Sequence, residues 1–389
     1  MTGQVLFAIF LIFAGAAVLS TLSLMTRQSI LVANILLGIA LGPWALGFFK
    51  DSVLIGEVGD LGIVFLLFLL GLNLPITKLL HMIRKVTTVG VVSSLVFCAV
   101  GMLVAWGSGF NVQDAALIGA AVMFSSTIIG IKLLPTNVLH HQHTGGVMIS
   151  VLLFQDLLAI LTLLILQGIS DVHVQWVRNL IFLIIGLPIL AGIGFVADRY
   201  ILKYLFARFN RIKEYLFLVA IAWCLAMAQL AAVMGFSTTI GAFIAGVSLA
   251  STPVALYISE SLKPVRDFFL VMYFFAVGAS FNLTYVPHVI VPALILVMLL
   301  TLVKPYTFAW LFRRVGEMPY VSWEAGVRLA QMSEFALIIA YSGMTLHVIS
   351  MKAGYLIEAV TILSFIVSSY WVVWRYPTPV AISDRLRRD

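Results

Sequence analysis

Asp156 is the residue in this sequence with the strongest claim to chemistry. It stands in Val151-Leu152-Leu153-Phe154-Gln155-Asp156-Leu157-Leu158-Ala159-Ile160, roughly ten residues from either end of one apolar segment. A charge at the centre of a bilayer costs at least about 2.5–3.5 kcal/mol on insertion scales, which makes an intramembrane carboxylate a functional group by default. A bound proton relieves that cost and so does a bound cation, and at one carboxylate the two states exclude each other. Gln155 adds a neutral amide beside it. The competing reading is an ion pair with Lys304 or Arg328 that only fixes helix packing.

Few other side chains qualify. Lys304, in Leu302-Val303-Lys304-Pro305, lies deep in an apolar segment, and Glu334 lies in the middle of the next one. A pair between them could neutralise the dipoles of interrupted helices. Arg328, Glu324 and Glu358 fall nearer segment ends, where long side chains are expected to reach headgroups. Glu57 and Asp60 open a segment near one membrane face and read as helix caps before they read as a cation entrance. His140, His141 and His143 cluster after the fifth segment, where a solvated loop is favoured over a pH sensor or a metal site. Cys98 and Cys224 sit in apolar segments without CxxC or Cys/His spacing, as small core residues do.

The elements that must position these groups are membrane helices. Hydrophobic residues make up 62% of the chain and charged residues 10%, against roughly 25% charged in soluble domains. A spanning helix needs about 20 mostly apolar residues, because each backbone N–H and C=O must be satisfied inside the segment. Such segments recur at 4–24, 29–49, 53–73, 86–106, 114–134, 146–168, 178–201, 214–233, 236–250, 264–282, 286–311, 321–345 and 355–374, an all-α polytopic membrane protein of about 13 spans. No long polar linker separates them, so residues 1–389 read as one membrane domain, with a short basic tail at 375–389.

Arg27, the first basic residue, follows the first apolar run, opposite to the order in a signal peptide, so that run reads as a retained helix with its N-terminus outside. The loops that are then cytoplasmic, the tail included, hold 18 of the 23 Lys and Arg residues; the outer loops hold Lys50, Arg178 and Lys352. This asymmetry is that of a plasma-membrane protein with a cytoplasmic C-terminus, such as one of a bacterial inner membrane. It also accounts for the net charge of +7 without nucleic acid as a partner. No Gly-x-Ser-x-Gly, His-Glu-x-x-His or paired catalytic aspartates occur in the segments, so an enzyme is not expected.

The segments also echo one another. Gly71, in Leu67-Phe68-Leu69-Leu70-Gly71-Leu72-Asn73, and Gly278, in Phe274-Phe275-Ala276-Val277-Gly278-Ala279-Ser280, are 207 positions apart. Gly38 and Gly42 pair with Gly241 and Gly246 at offsets of 203 and 204, and Ser125 pairs with Ser333 at 208. Each pairing skips seven segments, an odd number, which inverts the second copy in the membrane. The last pair joins Ser125-Ser126-Thr127 to Gln331-Met332-Ser333-Glu334, polar clusters in mid-segment that suit two crossed, discontinuous helices. The alternative is that these residues bond to the preceding turn or glue helices together.

Together, Leu41-Gly42-Pro43, Phe68-Leu69-Leu70-Gly71-Leu72, Phe124-Ser125-Ser126-Thr127, Leu153-Phe154-Gln155-Asp156, Gly241-Ala242-Phe243-Ile244-Ala245-Gly246 and Leu329-Ala330-Gln331-Met332-Ser333-Glu334-Phe335 resemble a known family. It is the membrane domain of Kef-type potassium/proton antiporters, in the second monovalent cation:proton antiporter family, and the likeness covers nearly the whole chain. The resemblance implies a sodium/proton antiporter-like fold and a homodimer. Within each protomer it implies a dimerisation subdomain and a mobile core whose elevator-type movement gives alternating access. It makes Asp156 the carrier of proton and cation, with Gln155, Ser125, Ser126 and Thr127 around the cation and Lys304, Ser333 and Glu334 in support. The Gln155-Asp156 pair resembles the potassium-handling branch, so K+ is expected before Na+, with no cofactor. Asn73 stands where such chains often carry glutamate, and no GxGxxG follows the thirteenth segment within these residues; a separate cytoplasmic subunit could supply regulation. A cation channel or a ligand-sensing membrane protein on the same scaffold are the other classes left open.

Overall fold

The structure, a computed structural model, describes residues 2–26, 28–48, 52–72, 76–127, 130, 143–169, 176–209, 212–234, 236, 238–250, 252 and 255–376. The described helices are α1 (Thr2–Met25), α2 (Ile30–Leu41), α3 (Ser52–Leu72), α4 (Ile76–Gly107), α5 (Val112–Val122), α6 (His143–Ile169), α7 (Trp176–Ala197) and α8 (Lys203–Phe209). They continue with α9 (Lys213–Val233), α10 (Thr238–Leu249), α11 (Ala255–Ser280), α12 (Val286–Arg314), α13 (Pro319–Arg328), α14 (Glu334–Thr345) and α15 (Met351–Arg375). A π-helical turn, Asp198–Leu202, joins α7 to α8. Each of the thirteen predicted segments carries helix.

Local chemistry explains where the helices depart from the apolar windows. α2 stops at Leu41 because the next residues are Gly42 and Pro43; a residue before proline is pushed out of the helical region, and a turn follows over 43–46. α11 begins at Ala255 and runs through Pro264, nine residues ahead of its window. α4 starts at Ile76, since Lys and Arg favour helix as readily as most apolar residues do. Glu57 and Asp60 lie well inside α3, which starts at Ser52, so the expected capping role is corrected by the helix register. Of the histidine cluster, His143 is the first residue of α6, while His140 and His141 fall outside the described residues.

Among the described residues, six stretches are long and apolar enough to cross a membrane: Leu6–Met25, Thr87–Gly107, Ile185–Phe209, Lys213–Val233, Leu283–Arg314 and Met351–Arg375. α2, α5, α10 and α14 are apolar but only 11 or 12 residues long. At about 1.5 Å per residue such a helix reaches little more than half way through the hydrocarbon layer.

The chain forms two compact units. One comprises Met1–Phe13, Leu37–Lys78 and Gln167–Ser280. Its packing follows the sequence echo: α3 lies against α10 and α11, with backbone so close that only glycine fits at the crossings. A Cβ at Gly246 would meet the Phe68 carbonyl oxygen and, at 2.7 Å, the Leu72 nitrogen; one at Gly42 would lie 2.9 Å from the Ala279 Cα. The two contacts, Gly246 against α3 and Gly42 against α11, are counterparts under the inverted repeat.

The other unit comprises Ala14–Leu36, Leu79–Leu166 and Phe281–Asp389. Its core gathers Val89 and Phe97 of α4, Met148, Val151 and Leu152 of α6, Phe308 and Phe312 of α12, and Leu329. Phe97 meets Phe308 edge-on with ring centroids 5.2 Å apart. These large side chains fix α12 beside α4 and α6, and so aim Lys304 inward.

Substituting Gly246 by valine should cost about 1–3 kcal/mol through overpacking and lower the melting temperature of the purified protein in detergent. Gly192→Ala should lower it by less than the error of the melt, because nothing lies within 4 Å of the added Cβ.

Candidate ion-binding site

Two helices break and the breaks meet. α5 ends at Val122 and helix resumes at Thr127; α13 ends at Arg328 and α14 begins at Glu334. Ser125, Ser126 and Ser333 lie in the interrupted stretches, where hydroxyls compete for the backbone's hydrogen bonds and weaken the helical alternative. Ser333 caps α14, accepting a hydrogen bond from the Phe335 N–H at 3.2 Å.

Each break frees backbone groups that lipid cannot satisfy. The surrounding helices supply their partners. Lys304 of α12 donates from Nζ to the carbonyls of Phe124, at 2.8 Å, and Gln331, at 3.1 Å, one in each break. Its ammonium also lies 5.3 Å from the centre of the Phe97 ring, a cation–π contact. Gln155 of α6 uses both ends of its amide on the first break: Oε1 accepts from the Ser125 N–H at 3.1 Å, and Nε2 donates to the Met123 carbonyl at 3.2 Å. The Ser125 hydroxyl donates across to the Leu329 carbonyl at 2.8 Å, and Gln331 Nε2 returns a bond to the Ser126 carbonyl at 3.3 Å. α15 completes the set: Ser364 Oγ accepts from the Met332 N–H at 3.0 Å, and Ser368 Oγ donates to Gln331 Oε1 at 2.9 Å.

The charges match the dipoles. The last carbonyls of α5 and α13 leave partial negative charge at the breaks, and the Lys304 ammonium sits just past those ends, on the carbonyls of Phe124 and Gln331. Partial positive charge belongs where helix restarts, and there the carboxyls lie. Asp156 is 1% exposed and its Oδ2 accepts from the Thr127 hydroxyl at 2.9 Å; Glu334 is 2% exposed in the first turn of α14. Among the described residues no ion pair includes Asp156. Lys304, one of the two cations that could have locked it, is held by carbonyls. The other, Arg328, is paired with Glu324 at 2.8 Å.

The sequence-derived set therefore comes together around one crossover, with Ser125, Ser126, Thr127, Gln155, Asp156, Lys304, Ser333 and Glu334 contributed by α6, α12 and the two breaks. The Lys304 ammonium serves backbone carbonyls, where a pair with Glu334 was expected. A second expectation is corrected: Arg328, Glu324 and Glu358 do not extend to headgroups but are 1%, 6% and 1% exposed. The signal for the first two was present in their i,i+4 spacing on a helix, which brings opposite charges together. Arg328 also lies 5.4 Å over the Tyr376 ring. Asn73 falls outside the described residues.

Sequence reasoning missed two groups. Thr361, Ser364 and Ser368 repeat at helical spacing in an otherwise apolar segment, and that periodicity could have shown a polar face turned to the breaks. Asp114 accepts hydrogen bonds from the Ser350 N–H, at 2.9 Å, and the Ser350 hydroxyl, at 2.7 Å, tying the start of α5 to the cap of α15. Asn111-Val112-Gln113-Asp114 has capping-box spacing and marks this helix start.

The description "Sodium/hydrogen exchanger, transmembrane" matches residues 8–375. The curated relative K(+) efflux antiporter 5 of Arabidopsis thaliana is 30% identical over an alignment of 357 residues that covers 87% of this chain; the chain spans 61% of that relative's length. Among solved structures, the sodium proton antiporter MjNhaP1 from Methanocaldococcus jannaschii aligns with a TM-score of 0.74 over 94% of this chain and 96% of the other, at 17% identity. That likeness shows a shared fold.

Because an ion pair that loses one member strands a buried charge, Glu324→Ala should destabilise the protein by about 3–5 kcal/mol. Replacing both partners, as Glu324→Leu with Arg328→Met, should recover most of that loss. Denaturation of each variant in detergent checks this; a single substitution as stable as the parent would contradict it.

Proposed function

The chain belongs to the family of transmembrane sodium/hydrogen exchangers, and from that premise we propose that it exchanges a monovalent cation, K+ before Na+, for protons at Asp156. The observation that carries this reading is the setting of one carboxyl. Asp156 is buried at a break in helix structure, bonded to a neutral hydroxyl, while the neighbouring cations are committed to other groups.

An isolated carboxylate in that setting has two routes to neutrality. A proton gives a neutral acid. A dehydrated cation gives a neutral pair, for which Thr127 and the oxygens freed where helix is interrupted can replace water. The states exclude each other, so a cation arriving from one side displaces the proton, and a proton arriving from the other displaces the cation. Gln155 and Lys304 act less as ligands than as clamps that keep the breaks open, since their polar atoms bind backbone. Ser125, Ser126, Ser333 and Glu334 complete the surroundings of the cation.

Potassium is preferred because of the Gln155-Asp156 pair and because the curated relative is described as a K(+) efflux antiporter. Alternating access is assigned to an elevator-type movement of the unit that carries Asp156. The N-terminus is placed outside and the tail at 375–389 in the cytoplasm, by the asymmetry of Lys and Arg. The chain is further read as a transporter without enzymatic activity, working as a homodimer in a plasma membrane such as a bacterial inner membrane, with regulation open to a separate cytoplasmic subunit.

In proteoliposomes carrying a pH gradient, adding K+ should dissipate ΔpH in the parent protein, and Asp156→Asn should abolish the response while the protein remains folded and monodisperse. Retained exchange in that variant would exclude Asp156 as carrier. Conductance that persists without proton movement would favour a channel. The same assay with sodium chloride in place of potassium chloride decides the ion, since K+ is expected to give the larger response.

A further inference from the structure

α15 bears a carboxyl that the exchange reading leaves without a role. Glu358 is 1% exposed, and its Oε2 is buried without a hydrogen-bond partner among the described residues. Among those residues no ion pair includes it. An ionised carboxyl there would be a bare charge in a dry interior, a state that burial penalises until a proton or cation neutralises it.

The neighbouring elements do not supply the cation. α15 packs against α5, α12, α13 and α14. Their buried charged groups are engaged or lie elsewhere: Asp114 is bonded to Ser350, Lys304 to the carbonyls at the breaks, Arg328 to Glu324, and Glu334 stands at the second break. On α15 itself the nearest titratable group is Tyr355, one turn toward the helix N-terminus, whose ring centre lies 4.8 Å from that of Tyr285.

Glu358 also occupies a connecting position. One turn on from it, Thr361 donates to the Ile357 carbonyl at 2.7 Å with its oxygen 3.8 Å from the Met332 sulfur, and nearly two turns on Ser364 accepts the Met332 N–H inside the second break. With about 1.5 Å of rise per residue, Tyr355 and Thr361 each lie some 4.5 Å along the axis from Glu358. The polar face of α15 thus runs from a tyrosine pair at one end of the helix, through this carboxyl, to the backbone that helps form the cation site.

We propose that Glu358 is a second proton-binding group of this protein, reached from the Tyr285–Tyr355 end and coupled through Thr361 and Ser364 to the crossover. It is loaded with a proton in the arrangement seen here. Losing that proton puts a charge one turn from Thr361 and nearly two from Ser364, the residues against Met332, so its state biases the geometry of the break. The proposal deepens the exchange reading by giving that site a separate pH input.

Infrared spectroscopy of the purified full chain in lipid tests it, because a protonated carboxyl has a C=O band that shifts in heavy water and disappears on ionisation. The parent should show such a band; Glu358→Gln should remove part of it, and that part should persist in Asp156→Asn. In proteoliposomes Glu358→Gln should keep K+/H+ exchange but move the pH of half-maximal rate by about one unit, and Glu358→Asp should restore the parent profile. Glu358→Leu, which removes the buried polar group outright, provides the same two comparisons should the glutamine variant fail to fold. A carboxyl band unchanged by either substitution overturns the proposal, as does a band that is lost while the pH profile stays fixed. Exchange retained by Asp156→Asn would sink the carrier reading alone, since the infrared comparison still decides Glu358.

Discussion

Interrupting a helix inside a membrane exposes peptide groups to a solvent that cannot bond them, and the rest of this structure answers that constraint. Seven backbone groups around the two breaks, from Met123, Phe124, Ser125, Ser126, Leu329, Gln331 and Met332, are each met by a side chain. Lys304 is central because, among the described residues, its side chain alone reaches a carbonyl in each break. An ammonium suits that position, since it has three donors and no acceptor, and its charge opposes the partial charge that collects where helices end. Committing Lys304 in this way has a second consequence. Asp156, on the neighbouring α6, keeps its carboxyl out of any ion pair among the described residues.

Both units use glycine at close crossings, and one of them adds the two breaks. In the unit with α3, α10 and α11, close helix crossings are made by glycine, and packing is backbone to backbone. In the unit with α12 to α15, glycine crossings also occur, since a Cβ at Gly326 would lie 2.6 Å from the Pro305 carbonyl oxygen. Polar side chains there also hold an opened backbone in place. An inverted repeat fits both, since each copy supplies glycine crossings and one break. The two breaks lie close enough for the single Lys304 ammonium to reach a carbonyl in each.

Much of this was legible in the sequence. Mid-segment Asp156, Lys304 and Glu334 stood out because charge is rare at that depth, and the breaks followed from Ser125-Ser126-Thr127 and its echo at Ser333. The glycine echo located the close crossings. What could not be read was the partner of each group. Lys304 and Glu334 have opposite charges and fall in adjacent segments, so pairing them was the simplest reading, whereas the carbonyls that hold Lys304 exist as acceptors only after the helices have broken. Arg328, Glu324 and Glu358 were placed near headgroups by their distance along the segments; their burial comes from neighbouring helices, which linear position does not encode. Ser364 and Ser368 carry no charge and look like ordinary helix glue until the backbone they face has been opened.

The central claim is that proton and cation compete for one carboxyl. Adding K+ to the purified protein in weakly buffered detergent, with a pH indicator and simultaneous measurement of bound cation, tests it without any transport step. The account predicts that protons appear in the medium in proportion to cation bound, with choline chloride giving no signal. Saturable cation binding with no proton released would contradict it.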